Sequence, residues 1–243
     1  MDSEIASSGK LKFKWLYLAW IGVVFSSVVI GIISAIVQGP PEPVVSKWGI
    51  SNFSIFAIAL YSLGSVVAVV VLYYLLKGQG LNLTAIGFTG KLSLNGTLFV
   101  VLGLIVAFIL YPAIESILKP IGIPMFWRGG ASSALHLRTT VDIILILIFA
   151  VLVGPVAEET IFRGYVLNTF LLRSNNILSA YIWSALVFAS AHVFVGPGTI
   201  IFIFFWSFIP AFLLLKFGNL YWPFCFHILN NFVTYVVFPL WLL

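Results

Sequence analysis

The feature that most restricts this chain is its succession of long, uncharged apolar runs joined by short polar links. The runs cover Trp15–Val37, Phe53–Leu76, Thr97–Leu118, Thr139–Leu172, Ile177–Val195, Thr199–Phe217 and Leu220–Leu240. Of the 243 residues 62% are hydrophobic and only 8% charged, against about 25% charged in a soluble domain. A chain this short cannot hide that much apolar surface in one core, so lipid is the solvent the sequence demands. In lipid every backbone polar group must pair within helices or a closed barrel. The runs are continuous rather than alternating, which excludes the barrel. The fold class read from the sequence is therefore all-α: a polytopic transmembrane bundle of about seven to eight spans enclosing an intramembrane polar cavity. It is read as one integral membrane domain over residues 1–243, with a polar N-terminal tail at 1–14.

The fourth run holds the ambiguity in the count. At 1.5 Å per residue, 139–172 would extend about 50 Å against a hydrocarbon core of about 30 Å. It is either a tilted helix that projects into water or a helix broken at Gly154-Pro155, which would give the eighth span. The first run is longer than a signal peptide's apolar core of about 7–15 residues, so it is counted as a span. Basic residues set orientation. With the N-terminus inside, Lys10, Lys12, Lys14, Lys77, Lys91, Arg173 and Lys216 lie inside, and Lys47, Lys119, Arg128 and Arg138 outside. This bias predicts a cytoplasmic N-terminus. The net charge of +5 comes from these scattered topology determinants, so no nucleic-acid partner is expected. A single cysteine, Cys225, excludes an internal disulfide and a cysteine metal cluster. Nothing in the sequence sets an oligomeric state.

Against this background the stretch "GPVAEETIFRG" at 154–164 stands out. A charge at the bilayer centre costs about 2.5–3.5 kcal/mol on the insertion scale. Glu158, Glu159 and Arg163 therefore call for partners, as do His192, His227, Asn230 and Asn231 in later runs. Glu159 and Arg163 are four residues apart with the acid first, the favourable order for a helical ion pair. Glu158 is turned about 100° from Glu159 and is left as the acid without that partner. His227 and Asn231 share a face at i and i+4, whereas Asn230 points away and is read as a packing amide. Phe188 and His192 also share a face, which sets a ring beside the imidazole. His136 falls in the long loop and is read as solvated. Cys225, two residues from His227, faces away into packing, and Arg138 with Asp142 is read as an interfacial helix-start pair. Measured from the inner ends of their runs, Glu158 and His192 both lie about 22 Å deep, His227 about 12 Å and Asn231 about 18 Å. Three segments distant in sequence thus bring polar groups to similar depths.

The three motifs "EETIFRG", "FASAH" and "HILNN" resemble those of the CAAX protease and bacteriocin-processing family of intramembrane endopeptidases, also called the abortive-infection family. Its patterns are Glu-Glu-x-x-x-Arg, Phe-x-x-x-His and His-x-x-x-Asn/Asp. The resemblance covers residues 154–231. It implies that Glu158 and His192 activate water, that His227 and Asn231 stabilise the oxyanion, and that Glu159 and Arg163 organise the site. It implies as substrate a peptide or a prenylated protein presented from membrane lipid, with removal of the tripeptide after the prenylated cysteine. Independent chemistry is compatible with it. A carboxylate is a competent general base, and imidazole and amide donors can converge on developing charge. No cofactor is expected from these motifs. Zinc is the variant, because Glu158, His192 and His227 form a His₂Glu donor set. Two other readings use the same polar residues: a transporter or proton relay, and a non-catalytic membrane scaffold.

Overall fold

The computed structural model describes residues 11–127, 137–174 and 176–241. Lys10, Arg128 and His136, together with residues 1–10 of the tail, lie outside the described residues. The described residues form helices and turns, with no strand among them. The helices are α1 (Phe13–Val37), a short α2 (Glu42–Lys47), α3 (Phe53–Lys77), α4 (Leu94–Ile121), α5 (Thr140–Leu171), α6 (Ile177–Ser190), α7 (Pro197–Phe217) and α8 (221–241).

Five of these helices, α1, α3, α4, α5 and α7, are long and apolar enough to cross a membrane, which makes the chain an integral membrane protein. The seven-to-eight-span expectation exceeds this count for identifiable reasons. The fifth run was expected to extend to Val195, but α6 stops at Ser190, 14 residues long. The seventh run carries His227, Asn230 and Asn231 in its middle and is not among the five.

Helix starts follow from local chemistry. Thr139 and Asp142 form a capping box at α5, satisfying backbone amides that a helix start leaves unpaired. Asp142 is fully buried and also accepts from the Ser51 amide at 2.9 Å and the Ser51 hydroxyl at 2.6 Å. It thereby fixes the α2–α3 turn to the head of α5. The helix-start reading of Asp142 holds, and its bond within Arg138 is to the Arg138 backbone amide at 3.0 Å.

α5 is continuous through Gly154-Pro155: Val153 and Gly154 keep right-handed helical angles. The break expected as one alternative is replaced by two π-helical stretches, Ile146–Val153 and Thr160–Leu167, on either side of Gly154–Glu159. The cause lies at the proline, which has no N–H to give to the preceding turn. The Gly154 amide reaches back five residues to the Phe149 carbonyl, which also accepts from the Ser62 hydroxyl of α3 at 3.0 Å. In this register Pro155 leaves the Ala150 carbonyl without a helical donor. The Asn231 amide of α8 donates to it at 2.9 Å. Side chains serve the second widened stretch in the same way: Asn168 Nδ2 donates to Gly164 O and Thr169 Oγ1 to Tyr165 O, each at 2.7 Å.

α5 occupies the centre. α3 packs along its first half, α6 and the end of α7 along its second, and α8 crosses it. α4 packs against α7 and α8, and α1 lies outermost against α3. Tyr165, Phe162, Val166 and Ile161 of α5 join Leu72 and Leu76 of α3 and Phe226 of α8 in the main core. The Phe13–Trp20 turn closes one end of it. Its Trp15 and Leu18 are buried, and the Tyr165 phenol donates to the Lys12 carbonyl.

Candidate active site

The charged residues of α5 sit where the helix is most completely covered. Glu159 and Arg163 are fully buried, Glu158 is 7% exposed and His227 5%. Arg163 Nη1 donates to Glu159 Oε1 at 3.2 Å, the ion pair expected from the spacing. Its Nη2 donates to both the carbonyl (3.2 Å) and the hydroxyl (3.0 Å) of Ser207 in α7. The guanidinium also lies 4.3 Å from the Phe188 ring centroid. Burying a charge is tolerable only with such pairing. Ser207 was not foreseen from the sequence, because a lone serine before Pro210 carries no signal of a partner 44 residues away.

Glu159 has a second partner on the same oxygen. His227 Nδ1 lies 2.7 Å from Glu159 Oε1. The carboxylate can only accept, so Nδ1 carries the proton and Nε2 is turned outward. Nε2 lies 3.9 Å from Glu158 Oε2. The two adjacent glutamates, placed on separate faces by their rotation, therefore meet opposite edges of one imidazole. Glu158 remains without the arginine, as expected. Trp206 packs edge-on against His227 at 4.7 Å and holds the ring plane.

His192 follows the end of α6. Its Nδ1 donates to the Phe188 carbonyl at 2.9 Å, a helix-terminal carbonyl that also accepts from the Ala191 amide at 3.2 Å. That bond fixes the tautomer, so in the neutral ring Nε2 holds the lone pair. Phe188 stands beside His192 at 4.8 Å between ring centroids, as its spacing implied, and at 6.5 Å from His227. The phenylalanine thus spaces the two imidazoles.

Asn231 and Asn230 form a relay instead of acting separately. Trp206 Nε1 donates to Asn230 Oδ1 and Asn230 Nδ2 to Asn231 Oδ1, each at 3.2 Å, before Asn231 reaches Ala150. Asn230 is thus more than the packing amide expected, and one Asn231 amide hydrogen is committed to the α5 backbone. Cys225 lies on another side, facing Leu94 and Leu229 in an apolar groove.

Among the described residues no three His, Cys, Asp or Glu side chains are grouped so as to hold a metal ion. Glu158, His192 and His227, the expected donor set, are not grouped in that way.

The fold and site define a class: a helical membrane protein with a carboxylate–imidazole cluster buried among its helices. Residues 140–233 match the family model described as Rce1-like, type II CAAX prenyl endopeptidase. This segment contains all six motif residues, and the match supports assigning it to the CAAX protease and bacteriocin-processing family. No curated protein and no solved structure gives a significant match.

Proposed function

We propose that this protein is an intramembrane endopeptidase that hydrolyses a peptide bond by activated water, with the tripeptide after a prenylated cysteine as its leaving group. The observation that carries the reading is the pairing around His227. Glu159 is neutralised by Arg163 and spent on Nδ1, while Glu158 faces the other edge of the ring with no arginine of its own. Of two adjacent acids, one is structural and one is free for proton transfer.

In the step proposed, Glu158, assisted by His192 Nε2, takes a proton from water as the water oxygen adds to the carbonyl carbon. The C–N bond then breaks as that proton passes to the departing nitrogen. The oxyanion formed between these events is met by His227 Nε2 in the protonated ring and by the second amide hydrogen of Asn231. Arg163, Ser207 and Trp206 keep the ring and carboxylate in place. Their rigidity matters because positioning contributes heavily to such reactions.

The test is Glu158→Ala in purified, reconstituted protein. An endopeptidase loses cleavage and still binds the peptide. A scaffold keeps its biological effect with the same substitution, and flux across proteoliposomes in place of cleavage assigns a transporter.

A further inference from the structure

Asn230 on α8 is a half-buried polar side chain to which the step above gives no part. It stands in the middle of a chain of three hydrogen bonds. Trp206 Nε1 of α7 donates to Asn230 Oδ1 at 3.2 Å, and Asn230 Nδ2 donates to Asn231 Oδ1 at 3.2 Å. Asn231 Nδ2 then donates to the Ala150 carbonyl of α5 at 2.9 Å. The chain joins three helices.

Its two ends have fixed polarity. An indole N–H can only donate, and a backbone carbonyl can only accept. A side-chain amide presents a donor on one side and an acceptor on the other, and turning it over exchanges them. Between these ends one setting of the two amides satisfies all three contacts. Turning Asn231 alone sets oxygen against oxygen at Ala150 and N–H against N–H at Asn230. Turning Asn230 alone sets N–H against the indole N–H and oxygen against Asn231 Oδ1. Turning both keeps the middle bond and breaks the two outer ones.

The ends are also held in place. Trp206 is buried, its ring 4.7 Å from His227, 5.1 Å from Phe226 and 5.9 Å from Phe188. At the other end Pro155 has no N–H to give, so the Ala150 carbonyl keeps its claim on the Asn231 amide. The indole that packs against one proposed oxyanion donor, His227, therefore sets the amide of the other, Asn231, through Asn230.

We infer that Asn230 is a positioning residue for Asn231: accepting from Trp206 and donating to Asn231 Oδ1, it keeps the Asn231 NH₂ turned toward α5, the helix that carries Glu158. The inference rests on the endopeptidase reading for its kinetic consequence, because there the second hydrogen of that NH₂ meets the oxyanion. The contact itself does not depend on that reading.

Asn230→Leu removes both hydrogen bonds of the amide and keeps most of its bulk. A hydrogen bond between neutral groups corresponds to about three- to tenfold in rate. We expect kcat to fall by about that factor, with KM within about twofold. Leu229→Ala, at an exposed neighbour on the same helix, serves as the control and should match wild type. Unfolding in mixed micelles provides the second readout, on Asn230→Leu, Asn231→Leu and the double variant. Residues of one network do not act independently, so the double variant's unfolding constant should differ from the product of the single effects by at least about threefold. Asn230→Ala repeats both measurements with a smaller side chain. A wild-type kcat in the Asn230 variants, or single effects that simply multiply, overturns the inference and leaves the endopeptidase reading standing. If wild type cleaves nothing, that reading fails, and the unfolding measurements alone decide the contact: coupled, Asn230 holds Asn231; independent, it does not.

Discussion

Glu159→Ala should be among the most destabilising single changes in this protein. Glu159 Oε1 accepts from Arg163 at 3.2 Å and from His227 at 2.7 Å, and all three side chains are nearly or fully buried. Truncation strands a guanidinium and an imidazole N–H at once. Removing one partner of a buried pair costs about 3–5 kcal/mol, and the stranded histidine donor adds about 1–3 kcal/mol. Part of this is recovered because Arg163 keeps Ser207 and the Phe188 ring, so we expect about 3–5 kcal/mol in all. Equilibrium unfolding in mixed detergent micelles measures it, with fluorescence from the eight tryptophans, Trp206 among them against His227. The double variant Glu159→Leu/Arg163→Met removes both charges and should regain at least half of the loss, while cleavage stays lost. A coupling of at least about 2 kcal/mol between the two sites is expected. The reasoning fails if Glu159→Ala lies within about 1 kcal/mol of wild type, or if the double variant merely adds the two single losses.

Glu158→Gln should behave oppositely, lowering cleavage by about 10²–10⁴-fold with unfolding close to wild type, as measured on the same preparations. Asn231→Leu removes the donor to the Ala150 carbonyl and should cost about 1–3 kcal/mol. Adding Pro155→Ala supplies a backbone N–H in its place and should restore part of that loss in the same unfolding assay. Gly96→Ala would drive a Cβ to 2.1 Å from the Trp222 ring and should destabilise by about 1–3 kcal/mol, read in the same way. A variant as stable as wild type would show that α4 and α8 do not meet closely at Gly96.

Much of this was legible in the sequence because lipid makes its demands locally. Long uncharged runs can only be helices, and the i, i+4 spacing of Glu159 and Arg163 produced the pair it promised. The π-helical stretches of α5 were not legible. Their extra residue per turn depends on Pro155 and on donors from elsewhere, Ser62 on α3 and Asn231 on α8. A wheel drawn at 100° per residue separates Glu158 from Glu159, and within the α-helical Gly154–Glu159 that holds, yet the two long side chains reach two nitrogens of one ring. The early end of α6 was hidden for a similar reason. The apolar run continues to Val195, but the His192 side chain takes the Phe188 carbonyl and the chain turns. Ser207 has no local pattern at all, and its importance arises only from what α7 brings against α5.

The most direct test is incubation of the purified full-length protein with a farnesylated Cys-aliphatic-aliphatic-X peptide and its unmodified twin, with products identified by mass. Wild type should release the C-terminal tripeptide from the farnesylated peptide, with or without chelator, and Glu158→Gln should release it about 10²–10⁴-fold more slowly. Intact peptides after prolonged incubation with folded wild-type protein would contradict the account, and so would cleavage that survives Glu158→Gln unchanged.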